Sequence, residues 1–115
     1  MVTDLNYSIA NFGQALMKNK KLEGLSIKEN KIKQSQYFEF WDFMHSNKTL
    51  RKMNATKTDI TDKVCTKISS YLKLQDIRLQ DLNLSRNQIG TDGLIALADA
   101  LKINRSITAL NIAQN

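Results

Sequence analysis

Few side chains in this sequence are suited to catalysis or metal binding. There is one histidine, His45, and one cysteine, Cys65. A zinc centre needs three or four ligands, and one His and one Cys without C-x-x-C spacing do not supply them. His45 stands alone after an apolar helical stripe, which reads as a surface residue rather than a ligand or base. Cys65 falls in a column of apolar residues, which reads as a buried, inert thiol rather than a nucleophile. Gly90 and Gly93 form neither a P-loop nor a G-x-G-x-x-G turn. No cofactor, metal or catalytic residue is expected, and enzyme activity is not expected. The chemistry left is hydrogen bonding by amides, because eleven asparagines are present.

Several of those asparagines recur in phase, and the phase reveals the elements that position them. Leu79, Leu82, Leu84, Asn87 and Ile89 spell L-x-x-L-x-L-x-x-N-x-I. The same spacing appears at Leu22, Leu25, Ile27, Asn30 and Ile32, and in degraded form at Leu50, Met53, Ala55, Thr58 and Ile60. It begins again at Ile107, Leu110, Ile112 and Asn115. The starts at 22, 50, 79 and 107 are separated by 28, 29 and 28 residues, which is an internal repeat. In L-x-L the apolar residues alternate to one side of a strand. The asparagine amide suits the tight loop leaving that strand, where it bonds backbone groups. Thr58 offers only a hydroxyl there, so the second loop is expected to be the least well held.

Between the motifs, apolar residues fall at offsets 0, +3 and +7, one face of a helix. The sets are Ile9, Phe12, Leu16; Tyr37, Phe40, Met44; Cys65, Ile68, Leu72; and Leu94, Leu97, Leu101. Ser35, Thr61 with Asp62, and Thr91 with Asp92 stand where N-caps belong. Lys18, Lys73 and Lys102 stand near the C-terminal ends, and Asn19, Asn47 and Asn104 end the helices in phase. No proline breaks them. Each unit reads as strand, turn, helix and return turn, and only stacked units can bury their apolar faces.

The chain has 115 residues with 42% hydrophobic and 24% charged, which excludes a disordered or collagen-like chain and fits a single domain over 1–115. It divides into a partial helical unit over 1–21 and repeats starting near 22, 50, 79 and 107, the last incomplete. No apolar run is long enough for a membrane span, and Asp4 and Asn6 interrupt the only candidate signal segment. One cysteine rules out an intramolecular disulfide and fits a reducing, cytoplasmic setting. The net charge of +6 is uneven: residues 1–57 carry +5 and residues 58–115 carry +1. Attraction to an acidic partner is therefore expected in the N-terminal half.

This pattern resembles the leucine-rich repeat family, in its ribonuclease-inhibitor-like subclass. The segment LNLSRNQIGTDGLIALADALKINRSITALNI, residues 82–112, is its closest part. The resemblance implies an α/β solenoid, a right-handed β-α superhelix with parallel strands on the concave face and helices on the convex face. It also implies a protein-binding role without catalysis. Such repeats occur in axonemal regulatory subunits, innate-immune sensors and activators of the small GTPase Ran. Thirteen lysines beside the eleven asparagines match the bias of AT-rich genomes such as those of ciliates. The reading that follows is a scaffold in a larger assembly, such as a ciliary axoneme or other cytoskeleton. The alternative is a GTPase regulator or a bacterial effector. No nucleic-acid motif accompanies the basic residues, so nucleic acid and membrane are not the expected partners.

In that architecture the concave face carries Lys28, Lys52, Asn54, Lys57, Asp81, Asn83, Arg86 and Asn111, the candidate protein-binding residues. Four strands span roughly 15 Å, too little for an interface of about 800 Å² per partner. A partner must also grip loops or helices, or the open ends must be covered by further repeats or neighbouring subunits. A second candidate surface is the aromatic segment 37–44, with Tyr37 and Trp41. Trp41 stands in the column of Gly13, Ser69 and Ala98, so it must tilt its helix or point outward. The competing reading is a core helix. Lys20, Lys21, Lys48 and Arg105 recur at the turn before each strand, skipping the third repeat. With Lys18, Lys28, Lys31, Lys33, Lys52 and Lys57 they outline a basic flank for an acidic protein surface.

Overall fold

The computed structural model describes residues 9–115, so the first eight residues of the expected N-terminal unit lie outside the described residues. Helices and strands alternate as α1 (Ile9–Lys18), β1 (Gly24–Ser26), α2 (Gln34–Met44), β2 (Lys52–Asn54), α3 (Asp62–Leu72), β3 (Asp81–Asn83), α4 (Thr91–Leu101) and β4 (Ala109–Asn111). The strands form one parallel sheet in the order β1-β2-β3-β4. Leu25, Met53, Leu82 and Leu110 align across it as one row. Parallel neighbours need a crossover, and the helices supply it on one side of the sheet. Consecutive helices pack together in chain order.

The three-residue strands lie inside longer inter-repeat ladders, which begin just before them, as where Gln80 N–H donates to Arg51 O at 2.8 Å, and continue beyond them. Ile27 N–H donates to Asn54 O at 2.9 Å, Ala55 N–H to Asn83 O at 2.8 Å and Leu84 N–H to Asn111 O at 2.8 Å. Two residues on, Glu29, Lys57 and Arg86 donate to Thr56, Ser85 and Ala113 carbonyls. Glu29, Lys57, Arg86 and Gln114 take φ of 62°, 55°, 58° and 57° at the same place in each repeat, and the second loop adds Asp59 at 63°. A non-glycine residue pays on the order of 1 kcal/mol for that conformation, so neighbouring bonds must hold it.

Asparagine holds these turns. Asn30, Asn87 and Asn115 each donate to the carbonyls three and two residues before them. Asn87 also reaches back a repeat: its amide oxygen accepts from Thr58 N–H at 2.9 Å and Ile60 N–H at 3.0 Å, and its amide donates to Ala55 O at 3.1 Å. Thr58 is therefore not the weak point expected from its short side chain. Its hydroxyl donates to Ala55 O at 2.8 Å, and the buried Tyr37 hydroxyl meets it at 2.7 Å. The tyrosine of the preceding helix and the asparagine of the following loop replace the missing amide.

A second amide ladder runs where the helices end. Asn19, Asn47 and Asn104 each accept from the backbone N–H groups two and three residues ahead. Asn47 and Asn104 also donate to Leu16 O and Leu72 O of the preceding repeat. In the third repeat Asp76 takes this place and pairs instead with Lys48 at 2.9 Å. The Lys48 hydrogen bond and charge hold the Asp76 carboxyl below the usual carboxylate range.

The expected N-caps do not form. α2, α3 and α4 start after Lys33, Thr61 and Gly90, without a side-chain cap bond. Ser35 lies inside α2. The Thr61 hydroxyl donates to Gln34 Oε1, and Asp62 Oδ1 accepts from Gly90 N–H at 2.6 Å. These oxygens serve the adjacent repeat rather than their own helix. This bond explains Gly93, where a Cβ would stand 2.6 Å from Asp62 Oδ1 and 2.8 Å from Ile89 Cγ2. Gly93→Ala is expected to cost about 1–3 kcal/mol by overpacking, read as a lower urea midpoint. Gly24→Ala, with open space around the added methyl, should change stability by less than about 0.5 kcal/mol.

Candidate protein-binding face

The concave sheet face is built from alternate strand residues, because each central strand residue turns inward to the core. Met53 and Leu82 are buried, whereas Lys52, Asp81 and Asn111 are exposed and Asn54 and Asn83 half-buried. A shallow hollow on this face is lined by Gly24, Ser26, Lys52, Asn54, Asp81 and Asn83 among others. The three asparagines are half committed. Asn54 Oδ1 accepts from Thr56 N–H at 3.0 Å and its hydroxyl at 2.6 Å, and Asn83 Oδ1 does the same for Ser85 at 3.0 and 2.7 Å. Asn111 Oδ1 accepts from Ala113 N–H at 2.9 Å. Among the described residues no partner is seen for their Nδ2 groups. The column therefore presents hydrogen-bond donors beside the Lys52 ammonium, and it complements acceptors such as carbonyls and carboxylates.

Lys28, Lys57 and Arg86 are exposed on the loops leaving β1, β2 and β3. The expected basic flank is not one surface. The strands are parallel, so residues after them gather on one rim and residues before them on the other. Lys20, Lys21, Lys48 and Arg105 lie on the pre-strand rim, away from Lys28, Lys31, Lys33 and Lys57. Lys20 bonds Met17 O, and Lys48 is held by His45 O and Asp76.

Neither aromatic named for the second surface is exposed. Tyr37 and Trp41 are each 0% accessible. The Trp41 ring lies 5.4 Å from Phe40 and 5.3 Å from Tyr71, centroid to centroid. The indole fits because space is shared unevenly along the stack. Gly13 lets α1 approach α2, with a Cβ there falling 3.2 Å from the Phe40 backbone, and Trp41 fills toward α3. The half-exposed aromatics of α2 are Phe38 and Phe43, and Lys67 covers Phe38 at 5.5 Å while pairing with Asp42 at 3.0 Å. The cover on Phe38 comes from one repeat away, so the repeat alignment alone did not single it out.

His45 is the C-terminal residue capping α2, its Nδ1 2.8 Å from Trp41 O and its ring 6.3 Å from that of Tyr71. Cys65 is buried, and burial pushes its thiol up to about 12, so it is held as a neutral thiol at physiological pH. Among the described residues no group of His, Cys, Asp and Glu is placed to hold a metal. Among them no helix is long and apolar enough to cross a membrane.

Comparison with known proteins places this geometry. A leucine-rich repeat family model matches residues 78–98, which cover β3 and most of α4. The human NLR family CARD domain-containing protein 3 is 37% identical over 62 residues, 54% of this chain but 6% of that protein. The actin-binding site 2 of leiomodin-1 superposes with a TM-score of 0.81 at 20% identity, over 93% of this chain and 62% of that one. The Caenorhabditis elegans tropomodulin C-terminal domain superposes with a TM-score of 0.77 at 18% identity, over 96% and 64%. The chain thus spans a small part of the curated relative and under two thirds of either structural neighbour. With its recurring L-x-x-L-x-L-x-x-N strands, parallel sheet and one-sided helices, the chain has the fold of a leucine-rich repeat solenoid, and its residues 78–98 match that family's model.

Proposed function

We propose that the chain is a non-enzymatic protein-interaction scaffold of the cytoplasm. It holds an acidic, acceptor-rich protein surface against its concave face, within a cytoskeletal assembly such as a filament or a ciliary axoneme. One observation carries this reading. The asparagine column turns its oxygens into the fold and leaves a row of donors beside Lys52, flanked by Lys28, Lys57 and Arg86. A donor-rich, cationic face fits carboxylates and carbonyls, and its charge steers an acidic partner at low salt. The leiomodin neighbour is named for an actin-binding site, which supports a cytoskeletal setting.

The test is co-sedimentation with filamentous actin and, separately, with microtubules at two salt concentrations. The expected result is pelleting with one of the two polymers, weaker at the higher salt. Lys52→Glu combined with Asn83→Asp should weaken it about tenfold, ~1.4 kcal/mol. Pelleting with neither polymer, or equal pelleting by the variant, overturns the reading.

A further inference from the structure

The turns that lead from the helices back to the sheet differ in one place. Residues 73–80 join α3 to β3, one residue more than the turns on either side, 45–51 and 102–108. A hollow of about 620 Å³ opens between this longer turn and the next, within the roughly 300–1,000 Å³ of ligand clefts. Leu74, Ile77 and Ile103 give it apolar walls, and Gln75, Lys102 and Arg105 stand among its polar lining. Among the described residues no acid lines it. It lies on the pre-strand rim and shares no residue with the hollow on the concave face.

We propose that this hollow takes an acidic peptide segment of a partner protein, with a large apolar side chain against Ile77 and Ile103 and carboxylates against Lys102 and Arg105. Two columns of the repeat select that occupant. The first is the column of Ile103, which is 53% exposed. Lys18, Ser46 and Gln75 hold the same place in the preceding units, and each is exposed although another repeat follows it. The column is open throughout, and only the fourth repeat fills it with an apolar side chain, whose covering removes apolar area from water. The second is the column of Arg105. Lys20 and Lys48 hold the same place, and each donates to a carbonyl of its own turn, Met17 O at 3.4 Å and His45 O at 2.8 Å. Arg105 makes no such bond, and among the described residues neither its guanidinium nor the Gln75 amide has a partner. In the third repeat this place is held by Ile77, so the row changes from cation to apolar where the hollow opens. Lys102 is held only by Asp99, at 3.4 Å with both side chains exposed, a contact worth little. The site thus offers a guanidinium fork and an ammonium to carboxylates, with no acid of its own to repel them. An inorganic anion would leave Leu74, Ile77 and Ile103 uncovered. A peptide with neighbouring acidic and apolar side chains covers both kinds of surface.

The probe is a short fluorescein-labelled peptide with a leucine flanked on both sides by glutamates. It is titrated against the chain up to about 1 mM and followed by anisotropy and by the chain's backbone amide shifts. The expected result is saturable binding, weaker at higher salt, with shifts concentrated at Gln75, Ile77, Ile103 and Arg105. Alanine in place of the peptide's leucine should weaken binding about fivefold. In the chain, Ile103→Ser installs the residue that the second repeat carries in this column, Ser46. It and Arg105→Gln should each weaken binding about fivefold, with unchanged circular dichroism. Lys63→Gln removes an exposed charge at the other end of α3 and should change binding less than about twofold. Shifts centred on Asn54 and Asn83 place the peptide on the concave face and overturn this proposal while leaving the reading of that face intact. So do an absence of binding and equal binding of the alanine peptide. Capture of the chain by phosphatidylserine vesicles without binding of the peptide also overturns it and marks a lipid surface instead.

Discussion

Leu82→Asp is expected to abolish the cooperative folding of the C-terminal repeats. Leu82 is 0% exposed at the centre of β3, aligned with Met53 on one side and Leu110 on the other. Removing a buried leucine side chain costs about 2–5 kcal/mol, and a carboxylate put in its place has no cation or donor inside this cluster. The total exceeds about 5 kcal/mol, comparable with the whole stability of a chain this size. Repeat units depend on their nearest neighbours, so the damage spreads from β3 to α3 and α4 before it reaches α1. The new carboxyl is driven toward its neutral form by burial, and its folded pKa lies above its unfolded value. The folded state then binds the extra proton more tightly, so stability falls as pH rises through this range and returns in part as pH is lowered. Far-ultraviolet circular dichroism and urea melts between pH 4 and 7, with Leu82→Asn as the uncharged control, measure this. A native melt for Leu82→Asp at pH 7 would show that the β3 register is wrong.

That register was legible from sequence because L-x-L spacing and a 28- or 29-residue step constrain every strand at once. Moving one strand by a residue turns its leucine outward in a visible column. What was not legible depends on contacts one repeat away. Thr58 looks deficient beside Asn30 and Asn87 until Tyr37, 21 residues earlier, is seen to complete it. Trp41 looks too large for its column until Gly13 and Tyr71 are placed on either side. Asp62 resembles an N-cap until the bond from Gly90 shows that it serves the next loop. Of the candidate concave residues, period-two alternation selects Lys52, Asn54, Asp81, Asn83 and Asn111 on the strands, and Lys28, Lys57 and Arg86 follow from their place in the loops just after them. Their chemistry was not legible. Which end of the Asn54 and Asn83 amides faces a partner depends on Thr56 and Ser85, whose hydroxyls claim the oxygens.

Asn87→Ala should cost about 3–5 kcal/mol, more than most core truncations to alanine at a residue of its size. The reason lies in what is left behind rather than in what is removed. Asn87 is 7% exposed, and its oxygen is the acceptor for two backbone donors of the preceding loop, Thr58 N–H and Ile60 N–H. Its amide also serves Ala55, Leu84 and Ser85 carbonyls at 3.1, 2.9 and 3.1 Å. Each buried donor orphaned by the alanine costs about 1–3 kcal/mol unless water reaches it. Asn87→Asp separates the two halves of this role. The carboxylate keeps both acceptor bonds but turns an oxygen toward three carbonyl oxygens, so it should be no better than alanine at pH 7. Asn115 supplies the internal control. It makes the equivalent bonds to Leu84, Ile112 and Ala113 and accepts from Ile89 N–H, yet it is exposed. Water can replace its partners, so Asn115→Ala should cost less than about 1.5 kcal/mol. Chemical denaturation of the three variants, with hydrogen exchange at Thr58 and Ile60, decides the matter. Equal losses at Asn87 and Asn115 would mean that the asparagines stabilise their own loops only and that Asn87 does not bridge repeats. Fast exchange at Thr58 and Ile60 in Asn87→Ala alone is the signature of a loop held by the repeat that follows it.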